Sequence, residues 1–276
     1  MPELPEVEVT RQSFANRIDG ARIESIHMGK PLRWPIDCDV DGLVGWQVGE
    51  VSRRGKYLWI TLRGADERSG GLLVHLGMSG SLAFSQRLPP AGAHDHFEMI
   101  TDKGTLRLTD PRRFGAVVWG AALDQGVPAK LLAGLGLEPF DPTLDGAYMH
   151  TRLKGRKVSI KQALLAGDIV VGAGNIYACE ALFRAGIDPR LPAGRLSGPR
   201  SERLVREVQG VLSQALAMGG SSLKDFKDAH GSQGHFQLST HVYGREGQPC
   251  RTCTTPIKRL TQGQRSTFFC PSCQKK

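Results

Sequence analysis

Apolar residues follow two different patterns along the chain. In the first half they gather in short runs bounded by Gly and charged residues, which is typical of β-strands. Such runs occupy residues 57–62, 72–76, 97–101, 105–109 and 116–119. Asp102-Lys103-Gly104 separates the third run from the fourth and suits a hairpin turn. Several strands joined by short turns predict a sandwich or a barrel-like pair of sheets.

A helix is predicted before these strands, at the start of the chain. Pro5 suits a first-turn position, and the acids Glu6 and Glu8 follow it. Apolar residues then recur at helical spacing, at Val7, Phe14 and Ile18. We therefore expect one amphipathic helix ahead of the sheets.

The second half of the chain has mainly helical periodicity. It begins with a Gly- and Pro-rich segment, residues 134–142, that is typical of a linker. Helices are predicted at residues 158–166, at 176–185 and from Pro199 to Gly219-Gly220. Residues 221–237 are polar, contain Gly and lack periodicity, so we expect a mobile loop there.

Composition restricts the class of protein. The 276 residues suffice for one large domain or two ordinary ones, and 40% apolar with 23% charged residues is typical of a soluble globular protein. The sequence has no run of 18 apolar residues, so no membrane span is expected. The acidic, Pro-containing start is unlike a secretory signal, which makes a cytoplasmic protein the expectation.

Charge is divided unevenly between the two halves. Residues 151–276 carry 20 Lys and Arg against 8 Asp and Glu, whereas residues 1–150 carry 16 against 19. The second half therefore has a net charge of +12 and the first half −3. A basic half suggests a polyanionic partner such as nucleic acid, with a solvated basic surface as the alternative.

Four cysteines in the last part of the sequence have the spacing of a metal site. Cys250 and Cys253 form one Cys-x-x-Cys pair, and after sixteen intervening residues Cys270 and Cys273 form another. Two such turns supply four thiolates to one Zn²⁺ and leave no open position, so the metal is predicted to be structural. Because the segment is too small for an adequate core, zinc should supply its folding energy. A redox pair or two disulfides are the alternatives.

The residues between the two pairs are predicted to form a β-hairpin, with Ile257, Phe268 and Phe269 available to pack. Basic residues decorate this finger, as expected if its hairpin contacts phosphates, at Arg251, Lys258, Arg259 and Arg265. The other cysteines, Cys38 and Cys179, lack partners at a useful spacing and are expected in the core.

The first residues carry chemistry of their own. Removal of Met1 would expose the secondary amine of Pro2, close to the carboxylates of Glu3 and Glu6. A chain-end amine has a pKa far below that of a lysine side chain, which favours the nucleophilic neutral form. Attack by a secondary amine on a sugar carbon gives a charged iminium, which is an electron sink. The alternative is an ordinary structural role. Met-Pro is a common start of a chain, and Pro with Glu is common in the first turn of a helix.

Other segments fit both a DNA contact and an ordinary structural role. Gly172-Ala173-Gly174-Asn175 precedes a predicted helix, and suits either a phosphate-binding turn or a plain turn with its Asn as the cap. The dinucleotide fingerprint is not met, since Tyr177 occupies the place of the third Gly. Met78 lies on a Gly-flanked turn, and Arg112 and Phe114 lie on a turn between strands. Apolar side chains such as Met78 and Phe114 either belong to the core or push between bases in kinked DNA, and an Arg can fill the space left by a displaced nucleotide.

Together these segments resemble the formamidopyrimidine-DNA glycosylase family, the bacterial enzymes that repair oxidised purines, along essentially the whole chain. The matching segments are PELPEV at the start, RRGKYL at 53–58, HLGMSG at 75–80, HDH at 94–96, DPRRFG at 110–115, VGAGNIYACE at 171–180, VYGREGQPCRTC at 242–253 and QRSTFFCPSCQ at 264–274. Leu4 points away from the sister enzymes that act on oxidised pyrimidines, which tend to carry Gly there.

The resemblance implies an α+β fold in two domains with DNA in the cleft between them. The first is an N-terminal β-sandwich with flanking helices. The second is a C-terminal helix–two-turn–helix module plus a four-Cys zinc finger hairpin. The implied parts are a catalytic sandwich at residues 1–133, a linker at 134–145, the DNA-binding module with its lesion loop at 146–240 and the zinc finger at 241–275.

The resemblance also implies catalytic roles for matching residues. Pro2 is implied to be the Schiff-base nucleophile on C1′, with Glu3 as the proton donor and acceptor beside it and Glu6 as a supporting acid. Lys56 is implied to donate the proton for β-elimination, and Arg265 for δ-elimination.

Further residues are implied to hold the DNA. Those implied to contact it are His94, Arg112, Arg156 and Asn175. Those implied to fill the duplex once the damaged base is turned out are Met78, Arg112 and Phe114. As a departure from the family pattern, Gly155 interrupts the basic run at 154–157, so the phosphate partner there is either Arg156 or Lys157. The loop near 219–238 matches the damage-reading loop in its place.

The resulting hypothesis is a bifunctional DNA glycosylase and abasic-site lyase of base-excision repair. It would act as a monomer on double-stranded DNA that contains 8-oxoguanine, formamidopyrimidines or abasic sites, in the cytoplasm of a bacterium and associated with the nucleoid. One structural Zn²⁺ is expected, without a catalytic metal or redox cofactor. The alternatives are the pyrimidine-preferring sister activity on the same scaffold, and a zinc-finger DNA-binding protein that has lost catalysis.

Overall fold

The computed structural model describes residues 2–65, 68–221 and 236–276. The chain forms two compact units, of which the first comprises Met1–Ala133 and Gly219–His235, and the second Gly134–Met218 and Phe236–Lys276. Among the described helices, none has both the length and the apolar character that a bilayer crossing requires. Most of the predicted loop at 221–237, and of the damage-reading loop near 219–238, lies outside the described residues.

Antiparallel sheets make up most of the first unit. Its elements are α1 (Leu4–Ile18), β1 (Ile23–Met28), β2 (Gln47–Arg54), β3 (Tyr57–Arg63), β4 (Ser69–His75), β5 (Ser81–Ser85), β6 (Asp95–Thr101), β7 (Gly104–Thr109), β8 (Ala116–Gly120) and α2 (Gly126–Leu132), with a short 3-10 helix at Asp41–Leu43. In the described part of the unit, one sheet has the order β1-β6-β7-β5 and the other β2-β3-β4-β8. The predicted hairpin is confirmed, since Thr101 pairs with Gly104 across its turn.

Strand alternation places apolar side chains between the sheets. Buried residues of the second sheet that share this core are Leu58, Ile60, Leu62, Leu72 and Val74. Those of the first sheet are Phe97, Met99, Leu106 and Leu108. Each side chain of this size stabilises the fold by about 1.5–3 kcal/mol when it is fully buried. The predicted sandwich is therefore confirmed, and α1 adds Val7, Phe14 and Ile18 to the same core as predicted.

The second unit is built from helices and ends in a hairpin. Its elements are α3 (Gly146–Leu153), α4 (Ile160–Ala166), α5 (Asn175–Arg184), α6 (Gly198–Ala217), β9 (Lys258–Gln262) and β10 (Arg265–Phe269), with 3-10 helices at Ala193–Arg195 and Phe236–Ser239. The helices pack around one apolar cluster that includes Tyr177, Leu182 and Val208. A second cluster joins Cys179 and Phe183 of α5 to the finger. The predicted finger hairpin is confirmed by the pairing of β9 with β10.

The starts of two helices differ from the prediction. The Ser159 side chain accepts a hydrogen bond from the Gln162 amide, so α4 begins at Ile160 rather than at residue 158. Helix α5 begins at Asn175 with Gly174 as its N-cap, so the alternative in which Asn175 is the cap is wrong. Neither α2, with seven residues, nor α3, with eight, was predicted.

Two further expectations have different outcomes. Cys179 is buried as expected, whereas Cys38 is only half-buried beside the core, so its placement in the core is wrong. Burial, followed by the charges of Asp39 and Asp37, raises the pKa of the Cys38 thiol to about 11. In the predicted linker, the Leu137 amide donates to the Ile169 carbonyl at 3.0 Å, which joins this segment to the second unit.

Candidate functional site

The start of α1 is buried and held by one carboxylate. Glu6 accepts a hydrogen bond from the Glu3 amide at 2.8 Å on Oε2. Its other oxygen, Oε1, accepts from the amide of Ser221 at 2.7 Å and from the Ser221 hydroxyl at 3.1 Å. Pro2, Glu3 and Glu6 are all buried. Glu6 therefore fixes the backbone next to Pro2 and joins it to Ser221, where the undescribed segment begins.

Lys56 lies on the tight turn between β2 and β3. The preceding Gly55 has φ of +58°, a conformation that glycine adopts without strain. The next residue, Tyr57, pairs with His75 across β3 and β4, and the two rings lie 4.7 Å apart. The charge of Lys56 reaches His75 and contributes to the lowering of its pKa. The turn thus places Lys56 close to His75.

The His75 imidazole is neutral and accepts a hydrogen bond on Nδ1. Burial lowers the pKa of His75 to about 4, and the charges of Lys56 and Arg33 act in the same direction. The Gly77 amide donates to Nδ1 at 3.1 Å, so the proton of the neutral ring is on Nε2. Sequence reasoning missed His75 as a candidate, although a histidine at the end of a buried strand and just before Leu76-Gly77 was a usable signal.

Asp110 joins the two turns that carry Met78, Arg112 and Phe114, the residues implied to fill the duplex, which are called the wedge residues below. Its Oδ1 accepts from the Ser79 hydroxyl at 2.6 Å, and its Oδ2 accepts from the Gly115 amide at 2.7 Å. A Cβ on Gly77 would lie 2.4 Å from the Gly115 nitrogen, so the two turns pack backbone against backbone. This buried carboxylate makes the turns one rigid unit, and sequence reasoning assigned it no role.

The predicted wedge residues project from these turns. Met78 is 38% exposed and Phe114 is 43% exposed, so the alternative that places them in the core is wrong. The Arg112 guanidinium lies 5.1 Å from the centre of the Phe114 ring. His94 is exposed, and its carbonyl oxygen accepts from the Asp110 amide at 2.8 Å. The first unit therefore brings four predicted DNA contacts to one end of its sheets.

In the second unit, α4 and α5 hold the finger hairpin close to Arg265. Asn175 donates from Nδ2 to the Ser266 carbonyl oxygen at 3.0 Å. The buried Lys161 donates to the same oxygen at 3.0 Å and to the Thr267 hydroxyl at 2.7 Å. Arg265 is the residue before this anchor. Sequence reasoning missed Lys161, because a lysine in an amphipathic helix is normally solvated.

The basic run at 154–157 contains one arginine that is already engaged. The Arg156 guanidinium donates to Asp168 at 3.1 and 2.6 Å, and its Nε donates to the Arg152 carbonyl at 2.9 Å. The hydrogen bond from Arg156 lowers the pKa of Asp168, so this partner stays ionised at neutral pH. Lys157 is exposed to solvent. The two candidate phosphate partners thus differ: Arg156 is already paired with Asp168, whereas Lys157 is exposed to solvent.

The four cysteines meet as their spacing predicts. Their sulfur atoms all lie within 4.8 Å of one another. The Sγ atoms of Cys250 and Cys273 are 3.9 Å apart, and those of Cys253 and Cys270 are 3.4 Å apart. Thiolates at the corners of a tetrahedron around Zn²⁺ are separated by about 3.8 Å, whereas a disulfide needs about 2.05 Å. The donor set and its spacing fit one zinc ion.

Comparison with known proteins places the whole chain in one family. Residues 1–117 match the formamidopyrimidine-DNA glycosylase N-terminal domain, residues 135–227 match the H2TH domain of that enzyme, and residues 247–276 match the zinc finger found in FPG and IleRS. The formamidopyrimidine-DNA glycosylase of Albidiferax ferrireducens is 62% identical over 275 residues, which cover 100% of both chains. The chain belongs to the formamidopyrimidine-DNA glycosylase family.

Solved structures of formamidopyrimidine-DNA glycosylases have the same fold. A mutant of the Lactococcus lactis enzyme in complex with Fapy-dG containing DNA has a TM-score of 0.89 at 32% identity, with 100% of each chain covered. MutM in complex with carbocyclic 8-oxo-G containing DNA has a TM-score of 0.89 at 33% identity, again with 100% of each chain covered.

Membership of the formamidopyrimidine-DNA glycosylase family decides several of the sequence predictions. The predicted α+β fold, with its helix–two-turn–helix module and its zinc finger, is confirmed. The predicted class of enzyme, a DNA glycosylase with abasic-site lyase activity, is confirmed as well. One structural Zn²⁺ belongs to the finger, so the disulfide and redox alternatives are wrong.

Proposed function

We propose that this chain excises 8-oxoguanine and formamidopyrimidines from double-stranded DNA and cleaves the abasic site by β,δ-elimination through a Schiff base on Pro2. One observation carries the proposal: Glu6 is buried between the Glu3 amide and Ser221 and fixes the chain next to Pro2. The names of the similar structures support the substrates, since these proteins hold Fapy-dG and 8-oxo-G containing DNA.

In this mechanism the Pro2 nitrogen displaces the damaged base. A bond forms between nitrogen and C1′, the bond from C1′ to the base breaks, and the base leaves with the electron pair and takes up a proton. Glu3 exchanges the protons, because its carboxylate follows the nucleophile directly in the chain. The nitrogen then loses its one proton, the C1′–O4′ bond of the sugar breaks, and O4′ takes up a proton as the ring opens. The nitrogen lone pair forms a double bond to C1′, and because this nitrogen has no further proton to lose, the adduct is a cationic iminium that acidifies C2′.

The iminium then drives the eliminations. Loss of a C2′ proton expels the phosphate on the 3′ side, and a second elimination expels the phosphate on the 5′ side. Lys56 is the proposed proton donor for the first step, beside the neutral His75. Arg265 is proposed for the second step, supported by its place next to the Ser266 carbonyl that Lys161 and Asn175 hold.

The proposed role of the wedge residues predicts different effects on base excision and on cleavage of an abasic site. Phe114→Ala and Met78→Ala should each lower excision of 8-oxoguanine from a duplex about tenfold to hundredfold, because unstacking a base requires a few kcal/mol. Cleavage of a ready-made abasic site should fall much less, since no base has to be extruded. Rates on the two duplexes measure this difference. Phe140→Ala is the control, since Phe140 is equally exposed on the second unit; equal losses on both substrates would contradict the wedge.

DNA binding by the basic run should depend on Lys157 more than on Arg156. Lys157→Gln should reduce the slope of log affinity against log salt concentration by about 1, as the loss of one phosphate contact does. Arg156→Gln should change the slope less, because Asp168 already occupies that guanidinium. Fluorescence anisotropy over a salt series measures both slopes. A larger change with Arg156→Gln would assign the contact to Arg156 instead.

We also propose the division into a catalytic sandwich at 1–133, a linker at 134–145, a DNA-binding module at 146–240 and a finger at 241–275. The change of unit between Ala133 and Gly134 supports the first boundary. The start of the finger match at residue 247 supports the last. The protein would act as a monomer on chromosomal DNA, in the cytoplasm and associated with the nucleoid of a bacterium.

Cleavage of four end-labelled duplexes tests the proposal. They carry 8-oxoguanine, a formamidopyrimidine, an oxidised pyrimidine or no damage. We expect the two purine lesions to be cleaved fastest, to leave a one-nucleotide gap with phosphates at both ends, and to form a covalent adduct under borohydride. Preference for the pyrimidine duplex would support the sister activity. Binding to every duplex with cleavage of none would support a non-catalytic DNA-binding protein.

A further inference from the structure

Arg53 joins two parts of the proposed active site. Its side chain lies near the end of β2 and is 13% exposed. Its Nε donates to Oε2 of Glu8 in α1 at 3.0 Å, and its Nη1 donates to the Gly55 carbonyl oxygen at 2.9 Å. One planar guanidinium therefore holds a helix on one side and a turn on the other.

Each of these two partners belongs to an element that presents a proposed catalytic residue. Glu8 lies in the second turn of the helix that begins two residues after Pro2, and the helical rise places it about 6 Å along the axis from Leu4. Gly55 immediately precedes Lys56, and its φ of +58° sets the direction in which the chain leaves β2. Arg53 thus bridges the element that presents the nucleophile and the element that presents the proton donor.

The Glu8 end of this bridge stays charged. Burial alone would raise the pKa of Glu8, but the hydrogen bond from Arg11 and the charges of Arg11 and Arg53 bring it below its usual value. Arg11 donates to the same carboxylate at 2.7 Å and to the Val51 carbonyl oxygen at 3.1 Å. Arg11 and Arg53 therefore both pair with Glu8, and the contact of Arg53 with the Gly55 carbonyl oxygen connects this pairing to the turn before Lys56.

We propose that Arg53 is a positioning residue that sets Lys56 relative to the iminium formed on Pro2. The inference rests on the proposed function and deepens it by naming a residue on which β-elimination depends. Capture of the sugar needs Pro2 and Glu3 and should survive a shift of Lys56. Proton transfer should not, because a displacement of about 1 Å can slow such a step about a hundredfold.

Single-turnover reactions on an abasic-site duplex separate the two steps. Aliquots of the reaction are quenched with borohydride, and the trapped adduct and the nicked strand are both measured against time. In Arg53→Gln we expect adduct to form at nearly the normal rate, while nicking slows about tenfold to hundredfold. The ratio of adduct to nicked DNA should rise by the same factor.

Two variants separate position from charge and from stability. Arg11→Gln removes the other arginine from Glu8 and should leave the ratio unchanged. Arg53→Lys keeps the positive charge, but an ammonium lacks the fork that reaches both partners, so the raised ratio should persist. Melting temperatures report folding for each variant. If Arg53→Gln does not fold, Arg53→Lys carries the same expectation.

Two results would overturn the inference. Equal slowing of capture and nicking in Arg53→Gln, or a ratio that matches Arg11→Gln, would make Arg53 a residue of general stability. Nicking by the unaltered protein without any trapped adduct would overturn the proposed function itself, and the role of Arg53 with it.

Discussion

Replacing Pro2 with Gly is expected to lower both base excision and strand cleavage by about a thousandfold or more, as loss of a covalent nucleophile does. Glycine at the chain end is a primary amine, so its adduct is an imine that loses its charge on deprotonation. The rigid ring that directs the nitrogen also disappears. Borohydride trapping with an 8-oxoguanine duplex should give an adduct with the Met-trimmed protein and none with Pro2→Gly.

The chain supplies a matched control for this substitution. Pro5 is buried in the first turn of the same helix, so Pro5→Ala disturbs the helix start without touching the nitrogen of Pro2. It should keep the adduct. Intact mass should also show that protein retaining Met1 forms no adduct, because its proline nitrogen is then an amide. An adduct that persists in Pro2→Gly, or that maps to a lysine, would assign the nucleophile elsewhere.

Removal of zinc is expected to have the second largest effect. Structural zinc supplies about 10–16 kcal/mol of apparent folding energy to a small finger, so chelation or Cys253→Ser should unfold the segment. The finger carries Arg251, Lys258, Arg259 and Arg265. Loss of such a set of cationic contacts should weaken DNA binding at least about a hundredfold. Zinc content and DNA affinity at two salt concentrations measure these changes together.

Cys179→Ser controls for the loss of a thiol that is not a ligand. Cys179 is buried in the same apolar cluster as Cys250, but it does not belong to the group of four sulfurs. This variant should keep its zinc and most of its DNA affinity. Since the sandwich belongs to the other compact unit, it should stay folded after chelation. Normal DNA affinity in zinc-depleted protein would show that the finger does not contribute to binding.

Features set by neighbouring residues could be predicted from sequence. The strands at 57–62 and 72–76 followed from apolar runs, because burial between two sheets selects such runs. The zinc site followed from two Cys-x-x-Cys pairs, because ligand spacing is local and its chemistry is specific. The family resemblance added the catalytic candidates, which no periodicity reveals.

Features that depend on distant residues could not be predicted. Glu8 and Arg53 are 45 positions apart, and Lys161 and Ser266 are 105 apart, so no local pattern records either contact. Asn175 shows how a local rule fails. Its side chain suits a helix cap, but Gly174 occupies the cap, and Nδ2 of Asn175 donates to the distant Ser266 carbonyl oxygen.

Asp110 has a consequence for engineering of the enzyme. Because the Asp110 carboxylate binds both turns, the side chains at positions 78 and 114 can be replaced without changing the contacts that hold the turns together. Side chains of other size or polarity can be introduced at these two positions while the two turns, the proposed nucleophile and the zinc finger are left unchanged. The proposed insertion of these side chains into the duplex can thus be redesigned separately from the chemistry.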